Sequence, residues 1–178
     1  MNLDFSDIKV LVVGDFMIDH YIIGKSNRMS PEAPVPVIVP KEEYSIPGGA
    51  GNVAMNLSSM GSQVTCLGTI GNDIFGEKLI KIFNENNIRS KHIEIIKNYS
   101  TTLKQRIYCN GIQVARVDKE EPLNWNPNQS ESLLDYSDYD VIILSDYDKG
   151  VLVRPWFFKP KGINVILDPK NERHEHLF

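Results

Sequence analysis

Apolar residues along this chain fall into short runs separated by turns, and two periodicities alternate. Residues 9–14 (KVLVVG) form a nearly continuous, β-branched run, the pattern of a strand buried on both faces of a parallel sheet. Val141–Ser145 (VIILS) and Asn164–Asp168 (NVILD) read the same way, and 63–70 is also strand-like. Between these runs the period lengthens. Val53, Ala54, Leu57 and Met60 recur at helical spacing behind the Gly-rich turn that opens at Gly48, and Gly61 is a natural stop. Residues 74–86 predict an amphipathic helix with Phe75, Leu79, Ile82 and Phe83 on one side. Further strands are predicted at 92–96, 101–108 and 113–117, and Asn110-Gly111 between the last two is a strong hairpin signal.

Alternating strands and helices predict an α/β fold, a mainly parallel sheet with helices on both faces. The hairpin does not fit that alternation, nor does 30–40 (SPEAPVPVIVP) with its four prolines. Proline cannot donate to a ladder, so this stretch is expected as an extended edge segment. Together they suggest a small β flap over one edge, built from about residues 16–46 and 101–118. No internal repeat or low-complexity tract interrupts the pattern.

The 178 residues suffice for one domain with a real core, and 42% hydrophobic with 24% charged residues suits a globular protein. A net charge of −4 argues against nucleic acid as a partner, since such proteins carry a basic face. Cys66 and Cys109 lack any partner spacing and read as reduced core thiols. No run approaches the roughly 18–20 apolar residues of a membrane span, and the N-terminus lacks a signal-like apolar stretch. A cytoplasmic protein without a membrane partner is expected.

Ligands of open α/β sheets bind at the carboxyl ends of strands. Three polar runs are expected there: the one from Gly14 with Asp15 and Asp19, the one from Ser145 with Asp146 and Lys149, and Asp168 with Lys170. Carboxylates there can accept sugar hydroxyls and lysines can meet phosphate, although each run alone reads equally well as a helix cap. Pro47-Gly48-Gly49-Ala50-Gly51-Asn52 combines glycines that admit a close ligand with a helix N-terminus; a plain tight turn capped by Asn is the simpler reading. Lys104 and Arg106 share a strand face, with Arg116 on the next strand; converging, they would hold a phosphate, and scattered, they are a solvated face. His174 and His176 have no third ligand, so no metal site is assigned.

Taken in order, VVGDFMIDHY, NRMSPEAPVPV, PGGAGNVAMNL, GTIGNDIFG, TTLKQRIY, ARVDKEE, LSDYDKGVL and LDPK resemble the ribokinase-like (PfkB) carbohydrate kinases, and among them the heptose 7-phosphate kinases, over about residues 8–170. The resemblance implies a ribokinase-like fold of which residues 1–178 form the N-terminal part. It implies a sugar phosphate as substrate, ATP with Mg2+ as cofactors, and a homodimer formed through the flap. Asp19, with Asp15 nearby, looks like the acid that grips sugar hydroxyls. Gly48, Gly49 and Asn52 look like the sugar-binding turn, and Lys104, Arg106 and Arg116 like flap cations that read the phosphate. Arg28 and Glu32 would order the flap, while Asp146, Lys149 and Lys170 would lie on the nucleotide side.

The family's later Gly-Ala-Gly-Asp motif, whose aspartate is the general base, does not occur in these residues, and neither does an Asn-x-x-Glu motif tied to magnesium. The resemblance places that base at a position beyond Phe178, so no catalytic residue is assigned within the sequence. The expectation is a sugar-phosphate-binding chain that by itself does not turn over ATP. A non-catalytic binding protein and another sugar kinase, such as a fructokinase, are the alternatives. The crossover VRPWFFKPKG also departs from the pattern, because Pro160 would break a helix begun at Pro155.

Overall fold

The computed structural model describes residues 4–121, 123, 125, 134–152 and 162–170. The apolar run at 9–14 does start a strand, but the strand does not end at Gly14. β1 spans Lys9–Lys25, 17 residues in one extended stretch. Its first half lies between two parallel neighbours, β3 (Gln63–Gly71) and β7 (Val141–Ser145), with Val10 opposite Val64 on one side and Val141 on the other. β4 (Arg89–Ile96) extends the sheet beyond β3, and β8 (Asn164–Asp168) extends it beyond β7. The main sheet is therefore β4-β3-β1-β7-β8, all parallel.

After Asp15, β1 changes partners. From Phe16 onward it pairs antiparallel with β2 (Val39–Gly49), and from Met17 it pairs parallel with β5 (Thr102–Cys109). β6 (Ile112–Lys119) closes this second sheet antiparallel to β5. Asn110 and Gly111 both take positive φ, 52° and 84°, as a two-residue hairpin turn of the primed kind requires. The proline-rich stretch is less regular than expected. Residues 31–35 are bends, only Met29 and Pro36 form a bridge, and the paired strand starts later, at Val39. Pro40 and Pro47 are tolerated in β2 because it pairs with β1 alone.

Helices α1 (Ala50–Ser59) and α2 (Ile74–Glu85) cover one face of the main sheet. Ala54, Leu79 and Phe83 are fully buried there with Val10, Val12 and Cys66. Each large apolar group so buried contributes about 1.5–3 kcal/mol, and burial pushes the Cys66 thiol pKa up. The opposite face carries Leu11, Val13, Ile142 and Leu144. It packs under Leu123, Trp125, Leu134, Val151 and Leu152 rather than under an α-helix, among the described residues. The 153–161 part of the crossover, with Pro155 and Pro160, lies outside the described residues. His174, His176 and Phe178, the position beyond which the base is expected, lie outside them as well.

Asp73 joins the two sheets. It caps α2, accepting from the N–H groups of Phe75 and Gly76 at 3.1 and 2.9 Å, and its other oxygen accepts from Thr101 N–H, one residue before β5, at 2.8 Å. Burial pushes the Asp73 carboxyl up, but these bonds outweigh it and hold the pKa below its ordinary 3.8. The sign follows: a depressed carboxylate stabilises the fold at any pH above its unfolded value, and that stabilisation disappears as pH falls through the folded value. Asp73→Ala should cost about 1–2 kcal/mol at pH 7. Denaturant melts at pH 7 and at acid pH should show the wild-type advantage shrinking with acidity; a constant gap would mean that the carboxylate charge is irrelevant.

Candidate functional site

A cavity of about 250 Å³ opens where the second half of β1, the end of β2, the start of α1 and β5 meet. β1 contributes Met17 and Asp19, and β2 contributes Ile46 through Gly49. Asn52 enters from the first turn of α1, and Lys104 and Arg106 enter from β5. Tyr147, which the sequence did not single out, closes one side. Its signal was present in the polar run after β7, but only the fold shows that this tyrosine turns toward the glycines.

Strand register explains the convergence. Asp19 lies opposite Lys104 on one side and Ile46 on the other, and Tyr21 lies opposite Arg106, so these side chains share one face of the second sheet. The Arg106 guanidinium donates to Asp19 Oδ1, with both side chains about four-fifths buried (22% and 19% exposed). That bond holds Arg106 still more firmly charged. The guanidinium also lies over the Tyr21 ring, 5.4 Å from its centre, and Tyr21 stacks on Tyr44 at 4.9 Å. Lys104 makes no ion pair among the described residues, so its charge remains available.

The glycines are there for space. A Cβ on Gly48 would collide with the Asp19 carboxylate. Gly49 has φ 56°, a conformation other residues resist, and it forms the N-cap of α1 with no side-chain cap bond. Asn52 is therefore not the cap of this helix. It is exposed and borders the cavity.

Several other candidates have different surroundings. Asp15 is buried, 2% exposed, and does not line the cavity. It lies inside β1 rather than after it. Its Oδ2 accepts from the N–H groups of Tyr147 (2.8 Å) and Lys149 (3.2 Å), and Oδ1 accepts from Val151 (3.0 Å). Burial pushes its pKa up against the pull of those three donors. Arg116 stands opposite Arg106 in the β5–β6 register but is bound by Asp118 at 2.9 Å. Lys149 Nζ is held by Glu120 at 2.7 Å. Asp146 is buried and accepts from Asp148 N–H at 2.8 Å, while its own N–H donates to the Asp168 carbonyl. Asp168 and Lys170 are exposed at the end of β8, and Arg28 and Glu32 are exposed in the stretch before β2. None of these lines the cavity.

One long strand of an α/β sheet thus feeds a cavity that brings together an acid, two glycines, an amide and two cations. The chain matches the family described as pfkB family carbohydrate kinase over residues 7–154, and it belongs to that family. It is 38% identical over 173 residues to the bifunctional protein HldE of Sulfurimonas denitrificans, covering 91% of this chain and 36% of that one. It is 46% identical over 149 residues to HldE of Helicobacter pylori strain G27, covering 81% and 32%. The chain thus spans about a third of the length of the curated relatives it matches. Among solved structures, ribokinase from Cryptococcus neoformans in complex with ADP superposes with a TM-score of 0.55 at 19% identity, over 78% of this chain and 40% of that one. Ribokinase from Arabidopsis thaliana complexed with ribose and ATP gives 0.54 at 14%, over 77% and 45%. The expected ribokinase-like fold is thereby established. Among the described residues no helix is long and apolar enough to cross a membrane, and no group of three or more His, Cys, Asp or Glu could hold a metal ion.

Asp15→Asn leaves one acceptor oxygen for three backbone donors. The variant should lose about 1–3 kcal/mol of stability, and amide exchange at Tyr147, Lys149 and Val151 should quicken. Unchanged exchange at these three sites would mean that something other than Asp15 holds the turn.

Proposed function

We propose that this cavity binds a sugar phosphate, and that the protein acts in phosphorylating D-glycero-D-manno-heptose 7-phosphate at O1 with ATP, in ADP-heptose and lipopolysaccharide core synthesis. The observation that carries the reading is the gathering of Asp19, Gly48, Gly49, Asn52, Lys104 and Arg106 around one cavity. A carboxylate accepts from paired hydroxyls, an amide both donates and accepts, and a lysine without an ion pair suits a phosphate dianion. The heptose assignment rests on the run NRMSPEAPVPV and on the HldE relatives.

The roles divide by partner. Arg106, already bound to Asp19, orients that acid. Lys104 reads the substrate's phosphate. The second sheet serves as a flap over the sugar, and its exposed apolar residues, Val39, Tyr44, Ile46, Ile112, Val114 and Val117, suit a homodimer formed through it. ATP with Mg2+ supplies the phosphoryl group. At the carboxyl end of β7 the buried Ser145 Oγ has no hydrogen-bond partner among the described residues; Lys149 follows in the next turn, held by Glu120, and Lys170 follows the end of the neighbouring strand β8. The unpartnered hydroxyl and the Lys170 side chain suit the oxygens of an anionic ligand, and Lys149 would join them on leaving Glu120, so Ser145, Asp146, Lys149 and Lys170 would face the nucleotide. Phosphoryl transfer of this type depends on positioning and charge stabilisation, which is what such residues offer.

Titration calorimetry with the heptose 7-phosphate and the unphosphorylated heptose tests the division. Lys104→Ala should weaken the phosphorylated ligand about tenfold and leave the free sugar nearly unchanged. Arg106→Ala should weaken both, because it releases Asp19. Equal loss of both ligands in Lys104→Ala would remove the phosphate role.

A further inference from the structure

Asp19 and its neighbour His20 point to opposite faces of the second sheet, as successive strand residues must. His20 is buried, 3% exposed, and has no place in the cavity. Its Nδ1 meets Ser45 Oγ at 2.8 Å, and its Nε2 meets Glu43 Oε1 at 3.1 Å. Ser45 and Glu43 both belong to β2, and Ser45 is the register partner of His20. Lys78 of α2 donates from Nζ to the same Ser45 Oγ at 3.1 Å, and the Phe75 ring of α2 stands edge-on to the imidazole, 5.7 Å between centres.

These bonds chain together three elements. The Ser45 hydroxyl accepts from Lys78 and keeps its own proton to donate to Nδ1, and Nε2–H then donates to Glu43. α2 itself is fixed to the main sheet by Leu79 and Phe83, both fully buried. The junction therefore ties strands that belong to the second sheet to a helix that belongs to the main one. On the cavity side of the same strands stand Asp19, adjacent to His20 on β1, and Gly48, three residues after Ser45 on β2. The clearance between them is so small that a Cβ on Gly48 would strike the Asp19 carboxylate. A shift of β2 relative to α2 thus changes the space in which a sugar must fit.

We propose that His20 is a positioning residue for the cavity: it pins β1 and β2 onto α2 through Ser45 and Lys78, and so sets how the second sheet stands over the ligand. The ligand part of this inference rests on the sugar-phosphate reading above.

The test compares His20→Phe, which fills the space without the bonds, His20→Asn, which can restore the Nδ1 bond to Ser45, and Ser45→Ala, which breaks the same chain from β2. Calorimetry with the heptose 7-phosphate should show affinity falling at least about fivefold in His20→Phe and Ser45→Ala. The double variant should be no worse than the weaker single one, as for two groups acting through one bond. His20→Asn should recover affinity to within about twofold of wild type, a rescue that loss of packing alone would not give. Hydrogen exchange without ligand should show faster exchange at the β2 amides of Ser45, Ile46 and Gly48 in His20→Phe, with β3 unchanged. Wild-type affinity in His20→Phe, additive losses in the double variant, or unchanged β2 exchange would overturn the proposal. Failure of the wild-type chain to bind the heptose phosphate would sink the sugar reading instead. In that case the β2 exchange alone decides whether His20 pins the sheet.

Discussion

One strand carries both sheets. β1 pairs on each side with β3 and β7 through Gly14, and then on each side with β2 and β5 from Met17 to Gly24. Both edges of the strand are thus hydrogen-bonded along nearly its whole length. A strand held in this way cannot pivot where its partners change, because turning it would break ladder bonds on both sides. The apolar half, Val10 to Val13, fixes it in the core. The half that follows inherits its direction from that core, and Asp19 is delivered to the cavity as a consequence.

The same geometry explains why two aspartates four residues apart have different surroundings. Asp15 sits at the last position of the main-sheet pairing, opposite Thr69, and it is buried beneath the turn that follows β7. A buried carboxylate is costly unless its oxygens are satisfied. Three backbone N–H groups satisfy them, and in doing so they shape the turn that brings Tyr147 to the cavity. Asp19 lies beyond the change of partners, about four-fifths buried, with the Arg106 guanidinium as its ion-pair partner. One of its oxygens is left for a ligand. The first carboxylate is spent on the protein's own backbone, and the second faces outward.

The second sheet has little core of its own. β6 is exposed along its whole length, and β2 is exposed as far as Ile46 apart from half-buried Ser45. Its order comes from β1, from the Asp73 link between α2 and Thr101, and from the bonds that Ser45 shares with His20 and Lys78. Polar contacts of this kind are individually modest, each net worth about 1 kcal/mol. They leave the main sheet as the rigid body and the second sheet as the part whose placement depends on a few side chains.

Much of this architecture was legible in the sequence, because it rests on local pattern. β7 and β8 fall on VIILS and NVILD, the helices start near the expected residues, and Asn110-Gly111 turns the hairpin, since apolar periodicity and backbone preference act over a few residues. The residues at the cavity, Asp19, Gly48, Gly49, Asn52, Lys104 and Arg106, were all candidates by type. What the sequence could not give was partnership. Asp15 and Asp19 fall on the same face of one unbroken strand, and what surrounds each is decided by the turn after β7 for the first and by β2 and β5 for the second, segments distant in sequence. Arg116 and Lys149 looked as free as Lys104, yet Asp118 and Glu120 neutralise them, while Tyr147 stood unmarked within a polar run and His20 carried no signal until its neighbours were in place. The sequence determined which elements form and which residue types can meet a sugar phosphate; the tertiary structure decided which of those side chains face the same space, because strand register and ion pairing are set by contacts that no local pattern encodes.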